Sequence, residues 1–166
     1  MGFFSTSPWW VMPSKLREKG ILGMNQRNAD YIMKYNPRRL YPLVDNKLIT
    51  KKLALKNGIA VPALYGVVEI QQQIRDLTTI LNGKEQFVIK PAHGSGGNGI
   101  LVVTGRMKLG FTKDGGELIN IETIGHHVSN ILSGMYSLGG VPDKAIIEYC
   151  VKFDPFFEHI IYRGVP

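Results

Sequence analysis

Hydrophobic positions keep a helical rhythm over the first third of the chain and then fall into strands and helices in turn. Ser14 to Lys19 reads as a short helix stopped by Gly20. Asn25 can cap a second helix, in which Ala29, Ile32, Met33 and Asn36 recur at helical spacing until Pro37 ends it. Arg38 to Pro42 is a proline-bounded connector. Asp45 is placed to cap a helix through Lys56, with Leu48, Lys52 and Leu55 successive on one face and Gly58 closing it. Val61 to Val68 predicts a strand, and Ile70 to Leu81 an amphipathic helix ended by Asn82-Gly83. Leu109 to Lys113 and Glu117 to Ile121 flank Asp114-Gly115-Gly116 as the arms of a hairpin. A helix is expected from about Glu122 to Leu138, ended by Gly139-Gly140. Lys144 to Val151 reads as a strand with an acid embedded in it. No internal repeat appears.

The central stretch breaks both rhythms. Phe87, Val88 and Ile89 form a buried-strand run. Lys90 ends it, Pro91 denies further ladder bonding, and four glycines occur between 94 and 99 before Ile100-Leu-Val-Val. A loop of this kind presents backbone N–H groups without Cβ obstruction, and the lysine at the strand end adds a point charge, so together they suit an anion. Gly94, Gly96 and Gly99 satisfy the dinucleotide spacing, but that fingerprint must open a helix, and the run after Gly99 is β-branched. Gly99-Ile100 does not complete a P-loop. A kinase loop has its lysine after the glycines and a later His-Arg-Asp, which this chain lacks. The remaining option is a strand, a lysine, a glycine flap and a return strand, the pattern of a nucleotide-phosphate clamp. The loop by itself also fits a hairpin with no ligand.

Composition narrows the class. The chain has 166 residues, 44% apolar and 20% charged, as in a soluble globular protein of one domain or two small lobes. No apolar run is long enough to span a bilayer, and Phe3, Phe4, Trp9 and Trp10 lack the flanks of a signal peptide; they read as a hydrophobic arm packing on its own domain or on a partner. Met1-Gly2 to Thr6 matches a myristoylation pattern only nominally. The single Cys150 excludes an internal disulfide and suits a reducing, cytoplasmic compartment. The net charge of +7 comes from Ser14 to Lys52, where ten Lys/Arg face three acids. That field suggests an anionic partner: nucleotide phosphates, an acidic substrate or nucleic acid. Lys47 adds to it from a helix's first turn, where a cation opposes the dipole, so it reads as kept for a ligand.

Asp45-Asn46-Lys47 opening a helix, Phe-Val-Ile-Lys90-Pro before a glycine flap, and Ile-Ile-Glu148 on a later strand resemble, in that order, the ATP-grasp enzymes. The likeness is close for the alpha-L-glutamate ligase-like subgroup, which is itself related to ribosomal-protein glutamate ligases and to sugar-transfer-associated ATP-grasp proteins. Leu22 to Asn28, Tyr35 to Val44, Lys90 to Gly99 and Ser129 to Gly140 carry it, over nearly everything from Lys15 onward. The resemblance implies an α+β ATP-grasp fold. Residues 1–45 would be an arm and helical segment, 46–151 the nucleotide-gripping lobe, and 152–166 the start of a C-terminal lobe. It implies that Lys47 contacts phosphate from outside the flap and that Lys90 bridges the α- and β-phosphates. His93, Gly94, Ser95, Gly96, Gly97, Asn98 and Gly99 would fold over the triphosphate. Glu148 would meet the adenine edge beside the Tyr149, Cys150 and Val151 backbone. Asp154 or Glu158 would take the ribose, and Arg38 and Arg39 phosphate or an acidic substrate. His126 and His127 diverge too far on a helix to share a metal and read as helix-surface residues.

The implied reaction is ATP-dependent ligation of a carboxylate to an amine, for which alignment and charge neutralisation are the protein's main tasks. It also implies Mg2+, with carboxylate ligands and a catalytic arginine lying further along than this sequence runs. After Glu158 no acid occurs. The expectation is therefore the N-terminal portion of such an enzyme, its C-terminal lobe missing, inactive alone and gripping ATP weakly or not at all. Two other classes fit parts of the sequence. One is a nucleic-acid-binding module using the basic 14–52 segment with Tyr31, Tyr35 and Tyr41 as stacking partners. The other is a non-catalytic interaction protein docking through its aromatic arm. Neither accounts for the flap.

Overall fold

The structure, a computed structural model, describes residues 11–152 together with Asp154 and Phe156. The aromatic arm and Glu158 lie outside the described residues. The chain divides into two compact units, Met1–Pro42 and Leu43–Pro166. In the first, Pro13 sits at the first position of α1 (Pro13–Glu18), where its missing N–H costs nothing, and Gly20 turns the chain at φ 73°. One helical run comes next: α2 (Met24–Arg27), a π-helical segment Asn28–Ile32 and α3 (Met33–Tyr35). Its cap is Gly23, so Asn25 lies inside the helix it was expected to open. Asn36 ends it, donating its backbone N–H and its side-chain amide to the Ile32 carbonyl at 2.9 and 3.2 Å. The expected irregular connector holds a 3-10 turn, Arg38–Leu40. No described residue of this unit is buried.

The second unit begins within α4 (Pro42–Asp45) and continues into α5 (Lys47–Lys56). Its strands are β1 (Leu64–Val68), β2 (Phe87–Pro91), β3 (Leu101–Met107), β4 (Gly110–Lys113), β5 (Leu118–Ile119) and β6 (Ala145–Tyr149). They form one sheet in the order β1-β6-β2-β3-β4-β5, antiparallel throughout, with α6 (Leu77–Ile80) and α7 (Ile121–Leu132) in the connections. The fold is α+β.

Strand alternation divides the sheet's residues between two faces. Phe87 and Ile89 of β2 with Ala145 and Ile147 of β6 pack against Leu77, Leu81, Ile124, Val128 and Ile131 as the main core. Phe87 meets Phe111 edge-on, ring centroids 5.3 Å apart. On the opposite face lies a smaller cluster of Leu48, Ala92 and Ile146, with Val67 against it. The register pairs Lys90 with Ile146 and Val88 with Glu148, so two charged residues share that second face. It is a half-apolar, half-charged surface fronted by α5.

Several boundaries differ from expectation. The cap of α5 is Asn46, not Asp45, and its buried residues are Leu48 and Lys51 rather than a stripe through Lys52 and Leu55. Pro91 remains in the strand, opposite Ala145. Residues 71–76 wind as a 3-10 helix, opened by the Gln73 side chain accepting the Glu69 and Ile70 N–H groups, and only α6 is α-helical. The expected helix to Leu138 stops at Leu132. Two residues on, Gly134 takes φ 82° with the Gly140 and Val141 carbonyls standing where a side chain would begin.

Candidate functional site

The glycine loop leaves β2 and returns into β3, strand to strand, and its first residues are fastened to the start of α5. The Asn46 side chain accepts from the Leu48 and Ile49 N–H groups at 3.0 and 3.1 Å, closing the helix's first turn. Lys47 donates its backbone N–H to the Ala92 carbonyl at 2.9 Å, and its ammonium donates to the Gly94 carbonyl. One residue thus ties the helix to the loop by main chain and side chain together. Burial lowers the Lys47 pKa from its ordinary 10.5, and the nearby Lys90 charge lowers it further.

His93 is held rather than loose. Asp143, buried, accepts the His93 N–H at 2.8 Å and the Lys144 N–H at 2.8 Å, and its other contact is His93 Nδ1 at 2.7 Å. Asn46 Nδ2 stands 3.1 Å from His93 Nε2. Because Asn46 Oδ1 is committed to the helix, its NH2 must face the ring, so Nε2 accepts and Nδ1 carries the proton toward Asp143. The imidazole is thereby a strut between the α5 cap and the segment before β6.

The crest of the loop is exposed and turns through Gly96, Gly97 and Gly99 at φ 62°, 77° and 76°. Asn98 N–H bonds the Ser95 carbonyl at 3.2 Å, and Ile100 N–H the Gly97 carbonyl at 3.3 Å. Both feet are pinned. Gly94 bridges to Ser137. At the other foot His127 Nε2 donates to the Gly99 carbonyl at 3.0 Å, and a Cβ on Gly99 would come within 2.5 Å of Tyr136 Cγ. Burial pushes the His127 pKa below its ordinary value, keeping the ring neutral. His126 is exposed, whereas His127 turns inward, so the helix-surface expectation is corrected for His127. Lys47, His93, Gly94, Ser95, Ser137 and Val141 line a cleft of about 470 Å3.

Near the end of β2, Lys90 pairs with one oxygen of Glu148 and Lys51 lies 2.9 Å from the other. Lys51 also donates to the Pro62 carbonyl at 2.5 Å. Glu148 is 4% exposed, and its Oε2, though charge-paired with Lys51, has no hydrogen bond of good angle.

The structure brings Lys47, Lys90, the 93–99 loop and Glu148 into one neighbourhood. Tyr149 ends β6, its N–H already given to the Ala63 carbonyl at 2.8 Å, and Cys150 and Val151 lie beyond the strand. Burial raises the Cys150 pKa, which keeps the thiol protonated. Asp154 is exposed and accepts the Phe156 N–H at 2.8 Å. Arg38 and Arg39 belong to the first unit, both exposed in its 3-10 turn. Lys51 and Asp143 are residues of this neighbourhood that the sequence pattern does not single out, and the contacts of Asn46 and His127 with the loop were not expected. Lys51 had a signal: it comes one helical turn after Lys47 and so shares its face. Among the described residues no three of His, Cys, Asp and Glu gather as a metal-ligand set. No described helix is long and apolar enough to cross a membrane.

Residues 26–166 match the family model described as sugar-transfer associated ATP-grasp, which is well over half of the chain. No curated protein and no solved structure matches it.

Proposed function

The chain belongs to the sugar-transfer associated ATP-grasp family, and from that premise we propose that it is an ATP-dependent carboxylate–amine ligase of the glutamate-ligase-like kind. The observation that carries the nucleotide part is the loop itself: a glycine crest between two antiparallel strands, pinned at both feet, with Lys47 at one foot and Lys90 on the strand entering it.

These residues fit a triphosphate. Gly96, Gly97 and Gly99 let the crest's N–H groups face an anion at close range. Lys47, already short of water, gains by meeting phosphate oxygens in place of a carbonyl. Lys90 supplies the second cation. The end of β6, from Glu148 to Val151, would receive the base; with the Tyr149 N–H already used in the sheet, backbone pairing falls to Cys150 and Val151. Asp154, a few residues further along the chain, would take the ribose, with Glu158 as the other choice.

In the proposed reaction, a carboxylate oxygen takes the γ-phosphoryl group with ADP leaving, and an amine then displaces phosphate from the acyl carbon, losing a proton. The chain's own part is to align, to offset charge with Lys47 and Lys90, and to exclude water under the crest. The described residues do not form a magnesium site, so no step is assigned to one.

Amide NMR titration with ATP tests this, since it reads dissociation constants into the millimolar range. The expected shifts fall on Gly94–Gly99, Lys47 and Glu148–Val151, and weaken at least about tenfold in Lys90→Ala. Absence of any shift at the loop, or shifts that Lys90→Ala leaves unchanged, would defeat the nucleotide reading.

A further inference from the structure

Lys90 and Glu148 share the charged face of the sheet and Lys51 meets them from α5, so two lysines attend a carboxylate that needs only one of them. Glu148 is 4% exposed and Lys51 6%, while the Lys90 side chain is 23% exposed at the loop end of its strand. Lys51 is fixed twice, to the Pro62 carbonyl at 2.5 Å and to Glu148 Oε2 at 2.9 Å. Lys90 holds only the other oxygen, in the more open position. Burying three charges together is costly, and hydrophobic residues of similar size would pack there at less expense. The cluster therefore asks for a reason beyond stability.

We propose that Lys51 is the standing counterion of Glu148, and that its function is to release Lys90 to the phosphates of a bound nucleotide. This rests on the nucleotide reading above. Lys90 can leave Glu148 for phosphate only if the buried carboxylate keeps a cation. Lys51 supplies it from inside, behind the carboxylate. It is a positioning residue: it sets the charge balance that decides which partner Lys90 takes.

The test is a set of four proteins titrated with ATP and followed by amide NMR: wild type, Lys51→Met, Glu148→Gln and the double variant. With Lys51 gone, Lys90 stays locked to Glu148, and ATP affinity is expected to fall by about tenfold or more. Glu148→Gln in that background removes the charge that holds Lys90 while keeping an acceptor oxygen. Affinity should then recover to within about threefold of the Glu148→Gln single variant. A merely structural Lys51 would show no such recovery. Lys51→Met binding like wild type, or a double variant with a native-like spectrum as weak as Lys51→Met, would overturn the proposal. Relaxation of the Lys90 side-chain ammonium signals without nucleotide separates this from failure of the nucleotide reading. Lys51→Met should make that ammonium more rigid than in wild type and Glu148→Gln should loosen it, whether or not ATP binds. A Lys90 ammonium that Lys51→Met leaves unchanged would remove Lys51 from the role.

Discussion

At the scale of single residues, the site works by giving each polar group a defined partner and leaving only a few free to change. Lys47 is the clearest case. Its folded pKa lies below 10.5 because burial, and then Lys90, disfavour the ammonium. Between the folded value and 10.5 the unfolded chain binds more protons, so this group's contribution to stability rises with pH across that window. Phosphate oxygens act in the opposite direction and favour the charged form. ATP binding at alkaline pH is therefore expected to take up protons and to weaken as pH rises through the window. Titration calorimetry in two buffers of different ionisation enthalpy measures the uptake. Lys47→Arg, which stays protonated, should abolish it.

At the scale of elements, the first turn of α5 and the loop are one mechanical piece, joined through Asn46, Lys47 and His93. Asn46→Ala should cost about 1 kcal/mol as a lost helix cap. It should also release the Nε2 side of His93 and broaden the loop's amide signals, which urea unfolding and relaxation measurements would show. A cap lost without loop broadening would mean that the His93 contact does not transmit. This junction was only half legible in the sequence. Lys47 in a first helical turn, Lys90 before the glycines and the β-branched run after them were local signals, and they led to a strand–loop–strand arrangement. Asp143 was not legible. It comes after Val141-Pro142 with no periodicity of its own and gains its role only because antiparallel pairing brings the start of β6 beside the end of β2. Lys51 was lost within a basic run, where helical phase alone separates a buried lysine from solvated ones. Element ends were missed where tertiary contacts outweighed pattern, as with Gly134 cutting short α7.

At the scale of the whole molecule, stability is unevenly placed. β6 lies between β1 and β2, and Ala145 to Glu148 are all buried. In the first unit no described residue is buried. Amide hydrogen exchange should therefore rank Ile146 and Ile147 among the slowest groups, opening only with global unfolding. Residues 13–40 should exchange through local fraying, faster by orders of magnitude. Protection in 13–40 equal to that of β6 would contradict this distribution. The same asymmetry puts the candidate site on the firm side, with its cations mounted on β2 and α5 and only the glycine crest left to move.

The double pinning of that crest limits what it can admit. A ribbon held at two posts can bow but cannot swing aside, so its travel is set by the short span from Ser95 to Asn98. A flat polyphosphate tail can slide beneath such an arch with little disorder surrendered on entry. A bulky terminal group would have to lift it from its posts. For a nucleotide bound as proposed, the arch would act as a height gauge, passing molecules by the profile of their leading end before any charge has been matched.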